Sequence, residues 1–270
     1  MGMSIRISAC IMCKNEASKI ARALDSLRWA DEVVVVDSGS TDGTADIARA
    51  HSTQPRVIVR DWPGYRAQRE FMVGRCRNEW VFMLDADEEV NADLAAAIGR
   101  LRAEELGKAG IVAMPRRNYI ARRYVRCWSP DVQKRLIHKD RVAWDTSSQF
   151  DTWEVKPGFA IKRIGGAIEH NRMSPYDLKD FTDAGLVAER GELMATHLFN
   201  NGKRATFLNL LLRPAATFFK YYILRGAFLD GRFGLVIAYK TTMGVMAKYS
   251  SLYGVEVVKV SQERASDERA

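Results

Sequence analysis

The chain has 270 residues, of which 47% are hydrophobic and 27% are charged. This length and composition allow a full hydrophobic core and exclude global disorder. The 41 basic residues exceed the 33 acidic residues, which gives a net charge of +8. Because the basic residues are scattered among predicted helices and no nucleic-acid module shows its signature, we expect no nucleic acid partner and favour an anionic membrane surface.

The N-terminal part of the chain alternates between apolar runs and amphipathic segments. The sequence predicts strands at 5–12, 32–36, 57–59 and 80–84, with helices between them and another helix that starts near Asn91. This alternation predicts a parallel sheet with right-handed crossovers, whose strands all end at one edge. The polar residues expected to meet at that edge are Asp37, Arg69, Asp85 and Asp87.

The fourth predicted strand runs directly into an acidic segment. Asp85 and Asp87 follow its apolar run, and if the chain stays extended the two side chains share one side. Paired carboxylates suit a hard divalent ion such as Mg²⁺ or Mn²⁺, which keeps coordination positions open for phosphates. The alternative for an isolated Asp-X-Asp is an acidic turn that caps the next helix.

Four segments of the N-terminal part carry a family resemblance. They are Lys14-Asn15-Glu16, the loop from Val36 to Thr44, Gln68-Arg69 and the acidic segment from Leu84 to Glu88. In this order and spacing they resemble the family 2 glycosyltransferases, which are inverting nucleotide-sugar transferases. Later segments narrow the resemblance to the branch with bacterial lipopolysaccharide core β-1,4-glucosyltransferases. These segments are 130–136, His170 and 228–234.

The resemblance implies an α/β fold of the GT-A type. A Rossmann-like, mostly parallel sheet flanked by helices would occupy residues 1–175. A C-terminal helical extension would follow at 176–260, and the polar tail at 261–270 would be disordered. This organisation is one catalytic domain with an appendage.

The resemblance also implies a donor site with a divalent metal. The ion, Mg²⁺ or Mn²⁺, stabilises the charge that grows on a nucleotide diphosphate leaving group. Asp87 is the implied direct ligand, and Asp85 is a further ligand or a ribose partner. His170 is a third candidate ligand, with a purely structural histidine as the alternative.

Three residues are implied contacts of a UDP-sugar donor. Asp37 would bind the uracil ring, and Glu16 matches the ribose contact of the family. Arg69 would form an ion pair with the diphosphate or with the acidic segment. An exposed helix arginine with no functional role is an equal alternative.

An inverting transfer needs a base that takes the proton from the acceptor hydroxyl. We expect Glu154 to be that base, with Asp151 and Asp131 as alternatives and a surface carboxylate as the competing interpretation of each. The branch carries a histidine directly before this glutamate, and this chain has Trp153 there. The substitution puts the acceptor, or activity itself, in question.

The C-terminal part crowds aromatic and aliphatic residues together with cations. The sequence predicts helices at 176–199, 206–229 and 233–249, but no apolar run reaches the roughly 18 residues that a spanning helix needs. The pattern is typical of interfacial helices on a membrane, with packing against the catalytic domain or a second subunit as the alternative. The basic and aromatic segment 116–126 either binds phosphorylated glycolipid or forms a solvated face.

No signal peptide is expected, and four cysteines suit a reducing compartment. We therefore expect a cytoplasmic protein at the inner membrane surface. The predicted reaction is transfer of a hexose, with glucose from UDP-glucose as the best expectation, to a lipopolysaccharide core or related envelope glycolipid acceptor. Alternatives are transfer to polyprenyl phosphate or another polysaccharide precursor, and a catalytically impaired nucleotide-sugar-binding or scaffold protein.

Overall fold

The computed structural model describes residues 3–144, 152–171 and 184–267. The chain divides into two compact units, one formed by residues 1–119 and 130–172 and the other by residues 120–129 and 173–270. The domain boundary predicted after residue 175 stays a prediction.

The first unit begins with four parallel strands. Their spatial order is β3-β2-β1-β4, and β1 pairs with both β2 and β4. The strands are β1 (Ile7–Cys13), β2 (Glu32–Asp37), β3 (Arg56–Val59) and β4 (Trp80–Asp85). The helices between them are α1 (Ile20–Asp25), α2 (Thr44–Arg49) and α3 (Tyr65–Arg75). The predicted alternation of strands and helices is confirmed.

The central strands are buried on both faces. Alternate residues of β1 and β4, such as Ile11 and Phe82 on one side and Cys10 and Val81 on the other, belong to two separate hydrophobic clusters. Covered faces explain why these strands are continuously apolar rather than alternating. The register places Cys13 beside Asp37 and Met12 beside Asp85, so these acidic residues end neighbouring strands at one edge.

The remaining strands extend the sheet past β4 in the order β4-β8-β6-β12-β5. Strand β8 is antiparallel to β4 and β6, whereas β12 is parallel to β6 and antiparallel to β5. The elements are β5 (Glu88–Val90), α4 (Ala92–Gly99), α5 (Ala103–Leu106), β6 (Ala109–Ile120), β7 (Arg123–Tyr124), β8 (Asp131–His138), β9 (Val142–Trp144), β10 (Trp153–Val155), β11 (Ala160–Arg163) and β12 (Ile168–Asn171).

The sheet must curl strongly at this end. Only Ala86 and Asp87 separate β4 from β5, yet three strands lie between them along the ladder. Three residue steps span at most about 11 Å, whereas four strand spacings measure about 19 Å. The ends of this part of the sheet therefore meet at the acidic turn. The fold is a mixed α/β domain with a curled central sheet flanked by helices, as predicted.

Helix α4 is joined to the strand that carries His170. Asn91 caps the helix because its Oδ1 accepts a hydrogen bond from the Leu94 amide at 2.9 Å, and the same oxygen accepts from the Ala167 amide at 3.1 Å. Gly166 packs so closely that an added Cβ would lie 2.3 Å from the Leu94 Cα, and its φ is +81°. This position therefore requires glycine.

The second unit is helical. Its helices are α6 (Ala184–Asn200), α7 (Phe207–Phe219) and α8 (Gly231–Asp267), with a π-helical turn (Lys220–Leu224) after α7 and 3₁₀ turns at Arg126–Trp128 and Ala227–Asp230. A small core contains Ile120, Val125, Cys127, Ala227, Ile237 and Ala238. Among the described residues no helix is long and apolar enough to cross a membrane.

The helix ends differ from the prediction in two places. Helix α7 ends at Phe219 rather than near residue 229, because the backbone passes into the π-helical turn and then reaches Gly226, where φ is +71°. Helix α8 continues to Asp267, so residues 261–267, for which the sequence predicted disorder, are helical. This stretch holds Gln, Glu, Arg and Ala and lacks Gly and Pro, so it does not break a helix.

Candidate active site

The acidic segment after β4 does not stay extended. Ala86 and Asp87 form a turn between β4 and β5, so the condition under which Asp85 and Asp87 would share one side is not met. Asp85 and Glu88 converge on Arg135, whereas Asp87 lies beside His170. The turn thus divides the carboxylates between two different partners.

Arg135 occupies the centre of the first group. One guanidinium nitrogen, Nη2, donates to Asp85 Oδ2 at 2.6 Å and to Glu88 Oε1 at 2.7 Å. The Arg135 side chain is 7% exposed and that of Glu88 is fully buried. Arg116 reaches the same Glu88 oxygen at 2.9 Å, and Glu88 Oε2 accepts from the Asp85 amide at 3.1 Å. These contacts fix the end of β4.

The charges in this group stabilise one another. Burial raises the pKa of Asp85, but the opposite charges of Arg135 and Arg69 outweigh burial and hold the pKa well below its usual range. Burial lowers the pKa of Arg135, and the two carboxylates reverse this and raise it. Asp85 is therefore an anion at neutral pH.

Arg69 lies beside the acidic segment. It comes from α3, and its Nη2 is 4.0 Å from Asp85 Oδ1. The adjacent Gln68 is buried and donates from Nε2 to Ser38 Oγ at 3.1 Å. Helix α3 thereby links the loops after β2 and β4.

Asp87 and His170 form the second group. His170 Nε2 lies 3.2 Å from Asp87 Oδ2, and Nδ1 lies 2.8 Å from Asn118 Oδ1. Since an amide oxygen only accepts, this contact requires a proton on Nδ1, so Nε2 is the ring nitrogen that faces Asp87. The histidine is buried, whereas the Asp87 side chain is 23% exposed.

The donor set at Asp87 and His170 fits a divalent cation. A carboxylate oxygen and an imidazole nitrogen are ligands that Mn²⁺ accepts, and Asn118 orients the imidazole from the second ring nitrogen. Within the described parts of the chain, no three His, Cys, Asp or Glu side chains form a ready metal cluster. The pair would leave the remaining coordination positions to other oxygen ligands.

The loop after β2 is held in place by hydrogen bonds to its acidic and polar side chains. The Asp37 side chain is buried, and its Oδ1 accepts from the Ser40 amide at 2.9 Å. Asn15 ties this loop to the end of β1, because its amide donates to Ser40 Oγ at 2.8 Å and its Oδ1 accepts from the Thr41 amide at 2.9 Å. At the start of α2 Gly43 occupies the N-cap, and Asp42 Oδ1 accepts a hydrogen bond from the Thr44 amide at 3.0 Å.

Glu16 lies at the same edge. Burial raises its pKa, the ion pair with Lys19 at 2.9 Å opposes this, and the negative charges of Asp87 and Asp42 add to the increase. Because the charge of Asp87 raises the pKa of Glu16, the carboxylates of Glu16 and Asp87 are close enough to interact. The edge thus gathers Glu16, Asp37, Arg69, Asp85, Asp87 and His170.

The three candidate bases differ in their surroundings. Asp131 accepts hydrogen bonds from Arg116, Asn118 and Gln133; burial raises its pKa, but these contacts outweigh burial and lower it. Glu154 is exposed on β10, and its side chain makes no hydrogen bond or ion pair with the described residues. Asp151 lies outside the described residues.

Trp153, which stands in place of the branch histidine, is buried. Its ring stacks on that of Trp144 with 3.8 Å between the centroids; Trp153 belongs to the hydrophobic cluster beneath α3, and the partly buried Trp144 packs against this cluster. Because side chains alternate along a strand, Glu154 points to the opposite side of the β9–β10 ribbon. The tryptophan therefore serves the core in this ribbon.

Sequence reasoning missed four residues that organise the edge. Glu88, Arg116, Asn118 and Arg135 are buried or nearly so and connect the two acidic groups. Glu88 and Arg135 did lie in segments that carried the family resemblance. Their ion pair, however, joins residues 47 positions apart that the curl of the sheet brings together, so no local sequence pattern predicts it.

The basic segment 116–126 is largely paired. Arg116 contacts Glu88 and Asp131, and Arg117 lies 3.3 Å from Glu169. In the second unit, Arg126 pairs with Asp230 at 3.5 Å. These contacts give the segment a structural role.

Comparison with known proteins places the chain in a family. The model described as glycosyl transferase family 2 matches residues 8–156, which run from the second residue of β1 to just past β10 and include the acidic turn. The chain belongs to glycosyltransferase family 2. The predicted family and enzyme class are confirmed.

Curated relatives agree with this assignment. The lipopolysaccharide core biosynthesis glycosyltransferase LpsC of Rhizobium meliloti (strain 1021) is 26% identical over 258 residues, covering 90% of this chain and 93% of the relative. A glycosyltransferase of Rickettsia bellii (strain RML369-C) is 45% identical over 101 residues, 37% of this chain and 34% of the relative. The similarity to LpsC thus extends over both units.

Solved structures show more distant likenesses. Glucosyl-3-phosphoglycerate synthase from Mycobacterium tuberculosis, in complex with Mn²⁺, UDP and glucosyl-3-phosphoglycerate, is 18% identical, with a TM-score of 0.46 and coverage of 73% of this chain and 80% of that chain. TarS 1-349 from S. aureus, in complex with UDP-GlcNAc, is 15% identical, with a TM-score of 0.47 and coverage of 88% and 90%.

Proposed function

We propose that this family 2 glycosyltransferase transfers a hexose with inversion, from a UDP-sugar to a lipopolysaccharide core or related glycolipid acceptor. Glucose from UDP-glucose is the first expected donor. The observation that carries the proposal is the pair of partly exposed Asp87 and buried His170 at the edge where the donor segments of the family meet. Similarity to LpsC along nearly the whole chain supports the core acceptor over polyprenyl phosphate.

The donor would lie along the ends of β1, β2 and β4. Asp37 offers a buried carboxylate for the nucleobase, and Glu16 offers one for the ribose. Arg69 is the cation for the diphosphate, because it lies on the side of Asp85 that Arg135 leaves open: Arg135 contacts Oδ2 and Arg69 approaches Oδ1. Each of these proposed donor contacts matches a motif residue of the family, and all three lie at the same edge of the sheet.

A divalent cation, when bound, would neutralise the charge that develops on the diphosphate leaving group. Asp87 and His170 would hold it, and Asn118 would keep the imidazole in the ligating tautomer. We assign Asp85 a ribose or water-mediated contact rather than direct ligation, because its carboxylate already accepts from Arg135 at 2.6 Å.

Glu154 is our proposed base. A base must be an uncommitted carboxylate, and Glu154 has no described side-chain partner. Asp131 is less suited, since the bonds from Arg116, Asn118 and Gln133 lower its pKa and so weaken it as a proton acceptor. Glu154 would take the proton of the acceptor hydroxyl as that oxygen attacks the anomeric carbon.

A lipid-linked acceptor places the reaction at a membrane. We therefore propose that the enzyme works in the cytoplasm as a peripheral protein on the inner membrane. The excess of basic over acidic residues supports this location.

The test is a transfer assay with purified protein. UDP-glucose, UDP-galactose and UDP-GlcNAc are each incubated with Mn²⁺ and a truncated lipopolysaccharide core or polyprenyl phosphate, and products are identified by mass spectrometry and by the anomeric coupling in NMR. We expect one β-linked hexose on the core acceptor. Transfer to polyprenyl phosphate alone would refute the acceptor, and an α-linked product would refute inversion.

A further inference from the structure

Helix α7 turns an apolar face to solvent. Phe207, Leu208, Leu211, Leu212 and Phe219 are 76%, 62%, 57%, 53% and 55% exposed. Their spacings of three, four and seven residues place them on one side of the helix. A helix of a globular domain normally packs such a side against the core, and here Pro214 is the only buried residue of α7.

The exposed apolar surface continues beyond α7. Ile223 and Leu224 in the π-helical turn, and Phe228 and Leu229 in the following 3₁₀ turn, are 43%, 71%, 47% and 63% exposed. We call these nine residues, five from α7 and four from the turns, the apolar face. Contiguous exposed surfaces of this kind mark interaction sites in folded proteins.

The segment that carries the apolar face has charged side chains of one sign. Residues 201–229 contain Lys203, Arg204, Arg213, Lys220 and Arg225 and no Asp or Glu. Arg213 in α7 and Lys220 at the start of the π-helical turn are exposed and seven residues apart, so they lie on one side of the segment. Long basic side chains in this position can reach the headgroup level while the apolar side enters the interface.

We propose that the apolar face binds the surface of an anionic phospholipid bilayer, with α7 lying in the plane of the interface. The chain offers both attractions that such a surface needs, namely aromatic and aliphatic side chains for the acyl boundary and cations for the phosphates. A second copy of the chain fits less well, because a two-fold contact through this face would bring together two segments 201–229 that each carry five cations and no carboxylate, and the neighbouring Asp230 and Glu256 already contact Arg126 and the Ala205 amide. The inference rests on the proposed function only in that a glycolipid acceptor gives the docking a purpose.

The test measures binding of the full chain to vesicles without donor or acceptor, so its outcome is independent of transfer activity. Vesicles contain phosphatidylcholine alone or with phosphatidylglycerol, and binding is followed by co-sedimentation. Leu211→Glu is compared with Leu193→Glu, because these leucines are 57% and 59% exposed but only Leu211 lies on the apolar face. Leu211→Glu removes a leucine that the bilayer would bury, so it should weaken vesicle binding about tenfold or more. The Leu193→Glu variant should bind as the wild type does.

A second pair of variants tests the charges. Arg213→Gln with Lys220→Gln should weaken binding to phosphatidylglycerol vesicles about tenfold or more, at about fivefold for each charge, and leave the weak binding to phosphatidylcholine unchanged. Circular dichroism melting confirms that each variant is folded. Absence of vesicle binding by the wild type, or equal losses for Leu211→Glu and Leu193→Glu, would overturn the proposal. A dimer in light scattering that Leu211→Glu dissociates would instead assign the face to a second copy.

Discussion

Arg135→Met removes the cation between two carboxylates and tests whether the network around β4 stabilises the fold. Arg135 is 7% exposed, and its Nη2 lies 2.6 Å from Asp85 and 2.7 Å from Glu88. After the substitution Glu88 keeps Arg116 at 2.9 Å, but Asp85 keeps only Arg69 at 4.0 Å. Glu88 is fully buried and would share Arg116 with Asp131, whereas Asp85 is 31% exposed and solvent screens part of its charge. We therefore expect a cost of about 3 kcal/mol of unfolding free energy, the lower end of the range for breaking a buried pair.

The pH dependence of this loss has a definite sign. In the wild type Arg135 depresses the pKa of Asp85, so this carboxyl contributes stability above its unfolded pKa of about 3.9 and loses it as the pH falls. In the variant the largest effect that opposes burial is gone and only Arg69 and His170 still lower the pKa of the carboxyl. The pKa of Asp85 therefore rises, and the folded variant takes up a proton at a higher pH than the wild type does. The difference between wild type and variant should therefore narrow between pH 7 and about pH 4.

Urea unfolding followed by tryptophan fluorescence measures the effect. We expect the midpoint of Arg135→Met to fall by about 1 M or more at pH 7, and Glu88→Gln in the same chain to recover part of the loss. The matched control is Arg117→Met, because Arg117 is 50% exposed and pairs with Glu169 at 3.3 Å; its loss should stay under about 1 kcal/mol. Equal losses for the two variants, or a loss for Arg135→Met that does not change with pH, would refute the reasoning.

Three further predictions concern the base, the backbone and the thiols. Glu154→Gln should bind UDP as the wild type does and lose transfer by orders of magnitude in kcat, and near-normal turnover would remove Glu154 from the role. Gly166→Ala should lower the unfolding free energy by more than about 2 kcal/mol in chemical denaturation, because its Cβ would meet Leu94, whereas Gly165→Ala, with open space around it, should have little effect; similar losses would contradict this account. Burial raises the pKa of Cys13 to about 12 and that of Cys127 to about 11, so the folded protein should react slowly with DTNB at pH 8 and release all four buried thiols in urea; fast reaction of the native protein would contradict the buried positions.

Much of the first unit could be predicted because its signals are local. The continuous apolar runs of β1, β2 and β4 reflect burial on both faces, and Asn91 marks a helix start by its capping chemistry. The alternation of strands and helices predicted that Asp37, Arg69, Asp85 and Asp87 meet at one edge, and the family resemblance added His170. The structure brings these residues to one edge of the sheet, while their individual roles stay predictions.

The contacts that organise the edge could not be predicted, because they depend on non-local pairing. Strand β8 contains Asp131, Gln133, Lys134 and Arg135, which resemble an exposed strand in isolation. Only the position of β8 between β4 and β6, and the curl that brings β5 back to β4, bury Arg135 against Asp85. The turn at Ala86 and Asp87 likewise follows from this closure.

The helical unit was predicted in type but not in detail. Aromatic and cationic composition indicated interfacial helices, yet composition alone does not determine which side of α7 is solvent-exposed. The π-helical turn and the continuation of α8 to Asp267 depend on packing within the unit, for instance between Ala227 and Ile237 in its core.

In the proposed function Asp87 binds the divalent cation on which UDP binding depends. The direct measurement is calorimetric titration of UDP into the wild type, Asp87→Asn and Asp93→Asn, each with Mn²⁺ and with EDTA. Asp93 is an exposed aspartate on α4, so its substitution makes the same change in charge away from the edge. We predict UDP binding that EDTA and Asp87→Asn abolish and that Asp93→Asn leaves unchanged. Binding that persists in EDTA, or that Asp87→Asn does not weaken, would contradict the account.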